Sequence, residues 1–160
     1  MAKSKEEKTN VMRTLEQKKI PYTAHTYDPA GPIDGVSVAQ TLGQLPERVF
    51  KTLVTKGASG AYYVFDIPVA ENLDLKKAAK AVGEKSVAML PQKELLPLTG
   101  YVHGGCSPVG MKKQFPTVFH ETVLLYDTVC VSAGKIGFQV ECRPGDLIAL
   151  LRAKTADIIV

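Results

Sequence analysis

Three short segments hold the residue types best suited to chemistry. Gly104-Gly105-Cys106-Ser107-Pro108 and Ser132-Ala133-Gly134-Lys135 both follow apolar, strand-like stretches. Glycine lets backbone N–H groups approach a ligand closely, and successive N–H groups can hold an anion or a developing oxyanion. The same composition also describes a plain tight turn. Cys106 with His103 nearby offers a nucleophile and a base, because a thiol attacks only as thiolate. A free cysteine more often serves as a small buried hydrophobe, and Cys106 is read that way. Gly134-Lys135 is not a phosphate-binding P-loop. That motif needs glycine five residues before Gly134 and Ser or Thr after the lysine, where Val129 and Ile136 stand. No Ser-His-Asp order and no paired-carboxylate spacing can be recognised. Lys51, in Val49-Phe50-Lys51-Thr52-Leu53, lies on a predicted strand, and chain physics alone does not separate it from other lysines.

The cysteines Cys106, Cys130 and Cys142 are odd in number and lack Cys-x-x-Cys spacing, so neither a disulfide framework nor a structural zinc site is expected. His25, His103 and His120 are far apart and show no metal-ligand spacing. No metal or other cofactor is expected. The 160 residues suit one domain, spanning 1–160, and the 45% hydrophobic content is ordinary for a globular protein. No apolar run is long enough to cross a bilayer, and the polar N-terminus is no signal peptide, so a soluble cytoplasmic protein is expected. The net charge of +4 is modest. Its excess is N-terminal and central, with Lys76, Lys77, Lys80, Lys112 and Lys113 contributing, and fits weak phosphate binding or an ordinary solvated face.

These segments need a frame. Ser4-Lys5-Glu6-Glu7 has capping-box spacing, and Val11, Met12 and Leu15 give a first helix to about Lys19, stopped by Pro21. Strands are predicted at 22–27, 50–55, 61–69, 86–90, 117–120, 128–132, 137–142 and 156–160. Helices are predicted at 37–42, from a cap at Asn72 or Asp74 to Val82, around 94–98 with Pro97 interrupting, and at 144–151. Leu75, Ala78, Ala79 and Val82 form the expected buried stripe of the third helix. Many short strands among helices predict an α+β fold.

The ordered set Val49-Phe50-Lys51-Thr52-Leu53, Leu73-Asp74-Leu75-Lys76-Lys77, Gly104-Gly105-Cys106-Ser107-Pro108 and Ser132-Ala133-Gly134-Lys135 resembles the bacterial YbaK/EbsC family. That family is similar to the editing insertion domain of prolyl-tRNA synthetase, and the resemblance runs from about Val11 to Ile158. It implies a mixed, largely antiparallel sheet curled into a partial barrel with helices outside. It implies free-standing deacylation of mischarged tRNA, typically Cys-tRNA(Pro). The implied partners are aminoacyl-tRNA and, as a candidate, prolyl-tRNA synthetase, with no membrane and no DNA. Lys51 matches the family's essential lysine and Thr52 its site-lining neighbour. Tyr27 matches an aromatic at the pocket mouth. Gly104 matches the glycine whose backbone faces the aminoacyl group, with Gly105 beside it. Ser132 and Gly134 match the second loop. Gln139 stands where the family has a site carboxylate, and Ile33 is the nearest match to a family aromatic.

The implied chemistry needs few protein groups. One methylene of fit discriminates amino acids by only ~1–3 kcal/mol, so a second hydrolytic site supplies missing selectivity. A cysteinyl ester carries its own thiol, and oriented intramolecular attack reaches effective molarities of ~10⁵–10⁸ M. The thiol can displace the tRNA 3′ terminus as a thiolactone, with Lys51 holding the ribose–phosphate region and the Gly104 loop orienting the carbonyl. Two alternatives stay open: an editing deacylase for another small amino acid such as alanine, using water, and a non-catalytic module that binds tRNA or a synthetase.

Overall fold

The computed structural model describes residues 7–160. Ser4, Lys5 and Glu6 of the expected capping box lie outside them. Helix α1 (Asn10–Gln17) is capped instead by Thr9, whose hydroxyl accepts from the Met12 N–H. Val11, Met12 and Leu15 turn inward as their spacing predicts. The helix ends before Lys19, which takes a left-handed φ of 58°.

Among the described residues eight strands form two sheets. Strands β1 (Tyr22–Thr26), β6 (Val129–Ser132) and β7 (Phe138–Cys142) make an antiparallel sheet in the order β1-β7-β6. Strands β2 (Phe50–Gly57), β3 (Tyr62–Pro68), β4 (Val87–Met89), β5 (Thr117–His120) and β8 (Lys154–Ala156) make a mixed sheet in the order β4-β2-β3-β5-β8. The pairs β2–β3 and β2–β4 are antiparallel, whereas β3–β5 and β5–β8 are parallel. A lone parallel bridge between Val49 and Cys130 joins the two sheets.

Helices α2 (Gly35–Thr41), α3 (Leu75–Val82), α4 (Gln92–Thr99) and α5 (Pro144–Leu151) complete the α+β architecture, with 3₁₀ turns at Pro46–Arg48 and Glu121–Leu125. Asp34 starts α2 two residues earlier than predicted, because its carboxylate accepts from the Ser37 N–H. Asp74 caps α3 through the Lys76 and Lys77 N–H groups, and Gly83 closes it in a left-handed conformation. Of the expected stripe, Ala78 and Ala79 are buried, but Leu75 at the first turn remains exposed. Pro97 does not interrupt α4, a single short helix that Gly100 ends.

The largest cluster of buried apolar side chains joins α1 to α5 and both sheets through Leu15, Phe50, Phe119, Val131 and Leu147. The closing strand is displaced from 156–160 to Lys154–Ala156. Beyond it Ile158 plunges fully into a second cluster with Phe65 and Ile67, and its N–H donates to His120 Nδ1 at 3.3 Å. Ile159 bridges to Leu73, and its carbonyl accepts from Lys77 Nζ at 2.9 Å. Among the described residues no helix is long and apolar enough to cross a membrane.

Candidate functional site

A cavity of about 390 Å³ opens where the two sheets meet. The Val49–Cys130 bridge forms its seam. From the five-stranded sheet come Phe50, Lys51, Thr52 and Leu53; from the other come Ser132, Phe138 and Gln139. Tyr27 follows β1 and extends its ladder by donating its N–H to the Gly137 carbonyl at 2.9 Å. Ile33 and Asp34 lead into α2, and Leu95, His103, Gly104 and Cys106 close the remaining wall.

Seven residues singled out in the sequence thus share one cavity: Lys51, Thr52, Tyr27, Ile33, Gly104, Ser132 and Gln139. Gly104 has φ 88°, and a Cβ there would lie 2.9 Å from Ile33 Cδ1, so glycine keeps this wall thin. Gly105 and Gly134 do not line the cavity. The Gly105 N–H is committed to the Val102 carbonyl at 3.0 Å, and its backbone packs against Ile136. The Gly134 N–H donates to Ser132 Oγ at 3.1 Å, and its left-handed backbone lies against Tyr101 and Val11. Both loops therefore use these two glycines as turn formers, with their N–H groups spent locally.

Lys51 is partly buried, and burial pulls its ammonium below the ordinary lysine range while the Glu71 charge pulls the other way. It remains a cation presented to a mainly apolar cavity. The Cys106 thiol is pushed up to about 12, first by burial and then by the neighbouring Asp66. It is protonated at neutral pH and is no ready nucleophile. Gln139 is buried and bound face to face with Gln44, donating Nε2 to Gln44 Oε1 at 3.1 Å and accepting from Gln44 Nε2 at 2.6 Å. A locked neutral amide pair stands where a carboxylate would add negative charge.

Two further groups were not singled out in the sequence. Asp66 on β3 faces Thr52 across the β2–β3 ladder and is fully buried, with its Oδ1 2.5 Å from Thr52 Oγ1. Burial raises its carboxyl to about 8, against the lowering effect of the Thr52 hydrogen bond. Its signal in the chain is an acid inside the apolar run Val64-Phe65-Asp66-Ile67, since aspartate is almost never fully buried without a partner. The second group is Glu141, whose carboxylate lies with His25 Nε2 and Cys130 Sγ within 4.8 Å. These are ligand types for zinc. However, Glu141 already pairs with His25 at 2.8 Å and Arg48 at 3.2 Å, and it accepts from Thr128. The guanidinium occupies the role a metal cation would fill, and the cluster is an ion-pair network. The hydrogen bonds from Thr128 and His25 hold Glu141 below the usual glutamate range.

A cation among apolar walls, beside hydroxyls, a protonated thiol and the Asp34 carboxylate that caps α2, defines the class of site this cavity is. Comparison with known proteins gives this class its family. Residues 34–150 match the aminoacyl-tRNA editing domain. A protein of Enterococcus faecalis, provisionally named Cys-tRNA(Pro)/Cys-tRNA(Cys) deacylase EbsC, is 47% identical over 160 residues, covering 99% of this chain and 98% of that protein. A crystal structure described as a provisional trans-editing enzyme for prolyl tRNA synthetase superposes with TM-score 0.81 at 29% identity, covering 94% of each chain. A second structure, designated APE2540, shares the fold at TM-score 0.86 and 22% identity, covering 94% of this chain and 99% of its own. The chain belongs to the aminoacyl-tRNA editing domain family.

Proposed function

We propose that this protein is a deacylase that clears cysteine from mischarged tRNA(Pro), acting in trans on the charged tRNA. The observation that carries the reading is the cavity itself: one lysine ammonium and a thiol held protonated among apolar walls, with the Asp34 carboxylate already committed to the Ser37 N–H at the start of α2. Such a site suits a substrate that brings its own nucleophile. Lys51 would hold the terminal ribose or phosphate as a point charge with three donors. Tyr27, Ile33 and Phe138 would enclose the aminoacyl group, with Gly104 giving its carbonyl close approach. The substrate thiol would form a C–S bond to its own ester carbon as the C–O bond to the ribose breaks. Its proton would leave for solvent and the ribose 3′-oxygen would take one up. The resulting thiolactone then opens in water to cysteine.

The same reading treats residues 1–160 as one editing domain. It treats the two sheets, hinged at Val49–Cys130, as a single sheet curled into a partial barrel. The place of action would be the cytoplasm, where tRNA is charged, with prolyl-tRNA synthetase as the protein that delivers the mischarged tRNA. The names of the Enterococcus faecalis relative and of the trans-editing structure support this substrate class.

The test is a panel of cysteinyl-tRNA(Pro), cysteinyl-tRNA(Cys), alanyl-tRNA(Pro) and seryl-tRNA, with a trap for thiolactone. The expected result is fast loss of cysteine from tRNA(Pro) with the lactone caught. Alanyl-tRNA cleared as fast as cysteinyl-tRNA, with only the free amino acid released, would replace this route by attack of water.

A further inference from the structure

The strongest unexplained feature near the cavity is a carboxyl group that the outlined reaction does not touch. Asp66 is fully buried, and its Oδ1 has Thr52 Oγ1 as neighbour. Its Oδ2 has no hydrogen-bond partner among the described residues. Across β5 its register partner is Phe119, and across β2 it is Thr52. The titratable group facing it from the 100–116 segment is the Cys106 thiol. The Lys51 ammonium shares its charge interaction with Glu71 instead.

We propose that Asp66 is a positioning residue that holds the Thr52 hydroxyl as a hydrogen-bond donor aimed into the cavity. The argument is one of proton placement. An unpaired carboxylate in an apolar interior is too costly, so the group is neutral and carries one acidic proton. On Oδ2 that proton would be a buried donor with no acceptor, which costs roughly 1–3 kcal/mol. On Oδ1 it has a partner, Thr52 Oγ1. Thr52 then accepts from the acid, and its own O–H is released toward the cavity, which Thr52 lines beside Lys51. An ionised Asp66 would reverse this, because a carboxylate only accepts and would take the Thr52 proton for itself.

This role rests on the deacylase reading above. A fixed donor next to Lys51 stabilises the oxygen that gains negative charge as the ester carbon is attacked. Asp66 touches neither substrate nor reacting atoms and acts only through Thr52. Its retention in a core where an apolar residue would be more stable is the mark of a functional group.

The experiment measures cysteinyl-tRNA(Pro) deacylation from pH 7 to pH 9 for the wild type and Asp66→Asn, with spontaneous ester loss subtracted. Asparagine is nearly the same shape, can donate an amide N–H to Thr52, and does not titrate. The substrate thiol titrates identically in both reactions and cancels in their ratio. The expected ratio of Asp66→Asn to wild-type rate rises about tenfold from pH 7 to pH 9, as the neutral acid is lost only in the wild type. Infrared difference spectra of the two proteins give a second readout, a protonated-carboxyl band at pH 7 present only in the wild type. A pH-independent ratio from an active wild type overturns the Asp66 role alone. Absence of the protonated band at pH 7 overturns it as well. A wild type inert on every charged tRNA removes the deacylase reading, and the role with it.

Discussion

Asp66 and Glu141 sit on different sheets, one row back from the same cavity, and the protein treats the two carboxyl groups in opposite ways. Glu141 on β7 is ringed by donors: Thr128, His25 and Arg48 hold it ionised. Asp66 on β3 has one hydroxyl and no cation, and burial holds it neutral. The first arrangement fastens β1, β6 and β7 to the 3₁₀ turn carrying Arg48. The second fastens little and leaves an oxygen orphaned. A satisfied network adds to stability, whereas a partly satisfied buried group subtracts from it. The three-stranded sheet thus carries an ionised carboxyl that braces the frame, and the five-stranded sheet one that burial holds neutral.

The largest expected effect tests the Asp66 side through stability. Its folded carboxyl lies near 8, above an unfolded value of about 3.9. The unfolded chain therefore releases this proton first as pH rises. The penalty for ionising Asp66 is absent below about pH 4 and lowers stability by about 1.4 kcal/mol per pH unit until about pH 8, where it levels off. The total is on the order of 5 kcal/mol. Urea unfolding at pH 5 and pH 8.5 should show this loss in the wild type and its removal in Asp66→Asn. An unchanged slope in the variant would break the contrast between the two carboxyls.

Lys51→Ala should come next, on the rate axis. Losing the cation misplaces the aminoacyl end, and a shift of about 1 Å costs on the order of 10²-fold. A partly buried strand lysine contributes little to packing, so thermal melting should stay within about 0.5 kcal/mol of wild type. Deacylation and melting measured on one preparation decide this, and full activity would remove Lys51 from the site.

Glu141→Gln should show the smallest effect and the opposite signature. It leaves the rate near wild type and weakens the frame by about 1 kcal/mol, because Arg48 and His25 lose a charged acceptor. For Glu141 the folded carboxyl is depressed, so its stability is present above about pH 4.3 and is lost as pH falls through the lower folded value. Acid unfolding of wild type and variant checks the sign. A large rate loss with unchanged stability would place Glu141 with the reacting groups.

The frame was easier to read from the chain than the site. Strand β5 and helix α5 fall at the predicted 117–120 and 144–151, and α3 lies between Asp74 and Gly83 as capping rules require. These are local signals, complete within a few residues. The site depends on distant pairings. Lys51 stands out only through resemblance to a family, since a strand lysine carries no local mark. Asp66 matters because register sets it opposite Thr52, and Gln139 because Gln44 reaches it from 95 positions away. Gly105 and Gly134 mislead for a related reason. Composition reveals that a loop can offer N–H groups, but only the folded turn reveals that Val102 and Ser132 have already taken them.

The seam between the sheets has a mechanical consequence. On one side the β2–β3 ladder runs seven residue pairs, and on the other β1–β7 runs five. Between them, among the described residues, the backbone pairing is the Val49–Cys130 rung, while a shared apolar core through Phe50, Val129 and Val131 packs the sheets together. Breaking a long ladder is a cooperative event, whereas one rung opens at a small fraction of the global cost. The seam is therefore held by side-chain packing more than by backbone hydrogen bonds. Local opening of that one rung would leave the ladders on both sides paired. Amide exchange at the bridge faster than within β3 is the fingerprint of such an opening.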